Sequence, residues 1–176
     1  MKNERKVAIE KREATLKTLT QIDDNLWTMV YKSSYGLDNL LKKGSKGIMD
    51  SVRHLQSEVK MNGIVPNPDK DGFACSTFNA QNPDGDYIFG RNFDYKAAPC
   101  LVCWTAPEKG YKSVSVVDTT FFVHGTKYMP LVKSKKKMRA MGAPYTSMDG
   151  INEKGFSCAV LEIKSKATKQ NTGKTP

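Results

Sequence analysis

The 176 residues suffice for one ordinary domain, or a small domain with an extension, and exclude a large multidomain architecture. Hydrophobic residues make up 39% and charged residues 26%, and no apolar run approaches the roughly 18 residues of a membrane span, so a bundle of transmembrane helices is excluded too. The formal net charge of +10 is unevenly shared: residues 1–74 carry 13 basic against 10 acidic side chains, and residues 75–176 carry 15 against 8.

The opening MKNERKVAIEKRE is charged throughout and lacks the apolar block of about 7 to 15 residues that a secretory signal requires, so a cytoplasmic location is expected. Up to about residue 61 the pattern reads as helical. Leu16, Leu19, Ile22 and Leu26 recur at helical spacing, then Leu37, Leu40 and Leu41, then Ile48, Val52, Leu55 and Val59. Gly44 and Gly47 interrupt the later part, which predicts two short helices or one bent one. Residues 62–72, NGIVPNPDKDG, gather Gly, Pro and polar turn formers and read as an exposed linker. Residues 1–74 are therefore expected to form a helical segment, with Trp27, Met29, Val30 and Tyr31 as an apolar cluster suited to a docked layer, a lid or the lining of a pocket.

From Phe73 onward, short strand-like runs alternate with turns: FACSTFNA, NPDGD, YIFGRNFDY, PCLVCWTA, PEKG and YKSVSVV, predicting a meander of antiparallel strands. MDGINEKG reads as a further turn leading into the strand FSCAVLEI. Helices followed by a sheet place the chain in the α+β class.

Four cysteines, at 75, 100, 103 and 158, fall far short of a disulfide scaffold. Cys100 and Cys103 have metal or redox spacing, but a zinc site needs four ligands and His124 comes alone, so no metal and no cofactor is expected. The basic run Lys133, Lys135, Lys136, Lys137 and Arg139 has no interleaved aromatic residues. It reads as a solvated loop rather than a nucleic-acid site; contact with an anionic membrane surface is the weaker alternative. Cys75, alone, reads as a small buried hydrophobe. The NPDG turn, however, folds YIFGRNFDY back beside it, which brings Arg91 and Asp94 within reach and creates a charged cage that would tune a nucleophile.

The strand opening ACSTF, the PDGD hairpin followed by FGRNFDY, and the later MDGINEKGFSCAVL together resemble the choloylglycine hydrolase family of linear-amide C–N hydrolases. That family includes bile salt hydrolases and penicillin V acylases, with acid ceramidase and N-acylethanolamine acid amidase as more distant kin. The resemblance covers residues 73 to 163 and implies an N-terminal-nucleophile (Ntn) hydrolase with an αββα sandwich. Residues 75–176 would supply the first part of this catalytic domain. It also implies self-cleavage between Ala74 and Cys75, which makes residues 1–74 a pro-segment and leaves the sulfur and a free α-amine on one residue. Such an amine, at about 7.7 to 8.0, and a thiol, at about 8.5, can share a proton near neutrality without a histidine. His54 and His124 are then not needed, although a Cys–His pair through His124 stays open.

By the same resemblance, Arg91 and Asp94 hold the thiolate and the amine, and Glu162 stands where bile salt hydrolases carry an asparagine; Asn92, facing the other way on the strand, reads as structural or as possible site support. Glu162 is thus a candidate for site support, and it argues for N-acyl amides with an apolar acyl chain over bile salts. A bile salt hydrolase or penicillin acylase activity is the nearest alternative; a non-catalytic module binding an anionic partner through the basic run is the more distant one. Further active-site residues of the family lie beyond the region matched. The expected partners are accordingly a small amide substrate and the rest of the same enzyme or a second chain, in an oligomer.

Overall fold

The structure is a computed structural model that describes residues 2–45, 50, 53–54, 56–57, 74–94, 99–119 and 134–161. The predicted linker 62–72, His124, Lys133, Glu162 and the helical positions 48, 52, 55 and 59 lie outside the described residues.

Helix α1 (Lys2–Lys17) is followed by strands β1 (Thr20–Asp23) and β2 (Leu26–Tyr31) and by helix α2 (Leu37–Lys43). Residues 20–31 thus depart from the helical expectation. The leucine spacing that suggested a helix competes with a second pattern, Trp27, Met29 and Tyr31 at every other position among β-favouring Thr and Val, and tertiary burial selects the second. The change from helix to strand is fixed by hydroxyls: Lys32 N donates to Thr15 Oγ1 at 2.9 Å, and Val30 N donates to Thr18 Oγ1 at 2.9 Å. Gly44 closes α2 at φ 71°, its N–H donating to Leu40 O at 2.8 Å, as a helix-terminal glycine should.

Strands β3 (Ala74–Gln81) and β4 (Tyr87–Asp94) form an antiparallel hairpin. Its turn is set by Asn82, whose side-chain Oδ1 accepts from Asp86 N at 2.8 Å, and by Gly85 at φ 89°. Gly90 leaves room for the Phe78 ring across the hairpin, which a Cβ there would force to shift.

Strands β5 (Cys100–Thr105), β6 (Ser113–Asp118), β7 (Ser147–Asn152) and β8 (Ser157–Ala159) do not continue the hairpin as one meander. They join β1 and β2 in a six-stranded mixed sheet, ordered β1-β2-β5-β6-β7-β8, while β3-β4 stands as a separate two-stranded sheet. The β2–β5 pair is parallel and in register from Leu26↔Cys100 to Tyr31↔Thr105, so the alternating buried sets of the two strands fall on one face. The chain is α+β, with its central sheet built from both sides of the 74/75 boundary.

That sheet has two unlike faces. On one, Trp27, Met29, Leu101, Cys103 and Val117 pack with Ala140, Met141 and Ala143 of a 3₁₀ segment, Ser134–Tyr145. The basic run is thus not a loop: from Ser134 it belongs to this segment, whose C-terminal half carries apolar side chains into the core. Tyr31 Oη donates to Met141 O at 2.9 Å, and Tyr145 Oη donates to Tyr35 O while facing His54 Nε2 at 3.0 Å. Because the Tyr145 proton is engaged by that carbonyl, His54 is the donor of the second bond. The opposite face carries Cys100, Val114, Val116, Asp118, Asp149 and Ile151, and the β3-β4 hairpin covers part of it.

Candidate active site

Alternation along β3 and β4 sorts the predicted site residues. The register pairs Cys75 with Phe93, Thr77 with Arg91, Ala74 with Asp94 and Ser76 with Asn92. Cys75, Arg91 and Phe93 therefore share one face of the hairpin, and Asn92 and Asp94 share the other. Arg91 Nη2 donates to Cys75 Sγ at 3.4 Å, and its guanidinium stands 4.5 Å from the centre of the Phe93 ring. Asp94 is not brought to the sulfur: its exposed carboxylate accepts from Asn92 Nδ2 at 2.6 Å on the outer face. Being three residues from Arg91 on a strand, it must point away from it. Its register partner Ala74 nevertheless leaves it beside the Ala74–Cys75 bond.

The hairpin reaches the large sheet through Arg91. Nη1 lies 3.2 Å from Asp149 Oδ2, and Nη2 also donates to Val160 O at 2.8 Å. The Arg91 side chain is only 6% exposed and that of Asp149 18%, so this is a desolvated ion pair rather than a surface one. Burial pushes the Asp149 carboxyl above its usual range, and Arg91 partly draws it back. Asp149 was hidden in the sequence because Asp-Gly reads as a turn. Here both residues lie inside β7, where Gly150 lets the β6 backbone approach: a Cβ there would sit 2.9 Å from Val114 O. The turn is instead made by the following residues, Asn152 Oδ1 accepting from Lys154 N and Phe156 N, and Glu153 exchanging bonds with the Lys112 backbone. Much of MDGINEKG is therefore structural, and Asp149 is the residue of it that faces the sulfur's arginine.

A cleft of about 500 Å³ opens between hairpin and sheet. Phe89, Phe93, Val114, Val116, Met148 and Ile151 give it apolar walls, with Arg91, Asp149, Cys100 and Asp118 as its charged or polarisable groups. Cys75 adjoins two of the lining residues, Arg91 and Phe93. Trp27, Met29 and Tyr31 are committed to the core on the far face.

Cys100 and Cys103 are separated by the strand itself. Three residues apart in β5, they project to opposite faces, Cys100 into the cleft and Cys103 into the core. Burial raises the Cys100 thiol, with Asp118 and Asp149 adding to the effect, and pushes Cys103 up to about 12. Neither redox nor metal pairing of these two is available in this strand. Among the described residues no three His, Cys, Asp or Glu side chains gather as a metal site, and no described helix is long and apolar enough to cross a membrane.

The α+β chain thus places a thiol against a buried arginine at the rim of an apolar cleft. The family comparison makes the class specific: residues 75–175 match the model of the linear amide C–N hydrolases, choloylglycine hydrolase family. The chain belongs to that family, whose members hydrolyse linear amides. No curated protein and no solved structure matches it.

Proposed function

We propose that this chain is a cysteine N-terminal-nucleophile amidase, cleaved by itself between Ala74 and Cys75 and acting on N-acyl amides with an apolar acyl chain. The observation that carries the reading is the 3.4 Å contact from Arg91 Nη2 to Cys75 Sγ, made at the residue where the family match begins. The cut joins thiol and base in one residue. The freed α-amine takes the thiol proton, sulfur attacks the amide carbon, the C–N bond breaks, and the departing amine leaves with that proton. Water then hydrolyses the thioester, and the acid is released. In the self-cleavage step the same sulfur attacks the Ala74 carbonyl carbon, the bond from that carbon to the Cys75 nitrogen breaks as the nitrogen takes up the thiol proton, and water hydrolyses the resulting thioester.

Arg91 supports the thiolate by its fixed charge. Asp94, across from Ala74 in the register, is the carboxylate assigned to the new ammonium. The six apolar walls of the cleft favour an aliphatic acyl group. In this reading the six-stranded sheet and the hairpin belong to the two facing sheets of an αββα sandwich, with α1 and the 3₁₀ segment in an outer layer.

Intact-mass spectrometry tests the proposal. A species beginning at Cys75, together with covalent acylation of that residue by an electrophilic amide mimic, is expected. An uncut chain that hydrolyses N-acyl amides with Cys75 unmodified overturns it.

A further inference from the structure

We propose that Asp149 is a positioning residue that aims the Arg91 guanidinium at the Cys75 sulfur. The inference rests on the amidase reading and adds to it a residue from a different sheet. Arg91 Nη2 reaches both Cys75 Sγ, at 3.4 Å, and Val160 O, at 2.8 Å, and Nη1 reaches Asp149 Oδ2 at 3.2 Å. Nε is buried and has no hydrogen-bond partner. The direction of the fork is thus fixed by one carbonyl and one carboxylate, and Asp149 is the only anionic anchor among its described partners. A guanidinium is planar, so a bond at Nη1 defines where Nη2 points. The hairpin alone cannot supply this constraint: it offers Arg91 the Phe93 ring and the sulfur itself.

The carboxylate has two opposing effects on the sulfur. It holds the cation in place, and its own charge partly cancels that cation's field. The two separate by substitution. Asp149→Asn keeps an oxygen acceptor for Nη1 and removes the charge, whereas Asp149→Ala removes both.

The readout is the rate of iodoacetamide alkylation of Cys75 at pH 7 in the full chain, divided by that of exposed Cys158 in the same sample and resolved by peptide mass spectrometry. Asp149→Ala is expected to lower this ratio about tenfold, to the value of Arg91→Ala, as loss of an opposite charge near a thiolate should. The Arg91→Ala/Asp149→Ala double variant is expected to fall no further, the non-additivity of two residues acting as one. Asp149→Asn is expected to match or exceed the wild type, which also shows that any loss in the alanine variant is not misfolding. A wild-type ratio retained in Asp149→Ala, or an equal fall with and without Arg91, overturns the proposal. A wild-type ratio no higher than that of Arg91→Ala overturns it together with the role given to Arg91. The self-cleavage and turnover of the amidase reading are scored separately by mass, so either can fail while the alkylation pattern holds.

Discussion

The two faces of the six-stranded sheet are built from the same strands and serve opposite ends. Toward the 3₁₀ segment, β2, β5 and β6 contribute Met29, Leu101, Cys103 and Val117, all essentially without solvent exposure, and a thiol there becomes a small hydrophobe. Toward the hairpin, the residues one step along in the same strands, Cys100, Val116 and Asp118, border a cleft in which buried charge is retained. Buried charge does not stabilise a fold cheaply, and apolar substitutes of equal size often do better. Among the described residues it is retained on one face, where it meets Arg91 and through it Cys75, and that marks this face as the candidate site.

The sharpest way to break the contrast is to remove the nucleophile. Cys75→Ala is expected to abolish both acylation and the cut, and Arg91→Ala to slow acylation about a hundredfold, the usual cost of losing one aligned donor; stopped acylation assays on N-acyl amides measure both. Next comes thiol chemistry within the core. With its thiol pushed up to about 12, Cys103 is expected to alkylate about a thousandfold more slowly than Cys158 in the native protein at pH 8 and to match it in urea. Packing differs by less but in the same sense: Leu101→Ala should cost about 3 kcal/mol in urea unfolding, against about 1 kcal/mol for Val116→Ala on the cleft side. Tyr145→Phe, which strips the bond to Tyr35 O and the acceptor for His54, should cost about 1 kcal/mol and be non-additive with His54→Phe.

The smallest effect is in pH. Because burial raises the Asp149 carboxyl, the folded state keeps its proton longer than the unfolded chain does. Its share of stability is therefore complete below the ordinary aspartate value, about 4, and is lost as pH climbs through the raised one. Asp149→Asn should flatten that segment of the stability–pH curve, and urea midpoints across pH 3 to 7 would show whether it does.

What the sequence made legible was local. The Asn82-centred turn placed Arg91 back beside Cys75, and counting by two along β3 and β4 puts them on one face. The same count applied to Asp94 would have turned its side chain away from the sulfur, and applied to β5 would have separated Cys100 from Cys103. Other features depended on distant partners. Residues 26–31 satisfy both a helical and an alternating pattern, and strand pairing decides between them: the antiparallel match to β1 and, along the whole strand, the parallel match to β5, more than seventy residues later. Asp149 escaped because Asp-Gly commonly turns a chain, and nothing nearby reveals that Gly150 is there for a close strand contact. Glu162 and His124 lie outside the described residues.

The β2–β5 ladder gives the proposed scission an unusual outcome. A nick at Ala74 would leave an interior strand of the sheet on one polypeptide and its neighbour on another, so an intramolecular pairing would become a bimolecular complex. Denaturing gels would report two fragments where native chromatography reports one particle, and stripping away the smaller fragment would uncover the raw edge of β5. Loss of the excised piece would then amount to unfolding, not to release of an inhibitor.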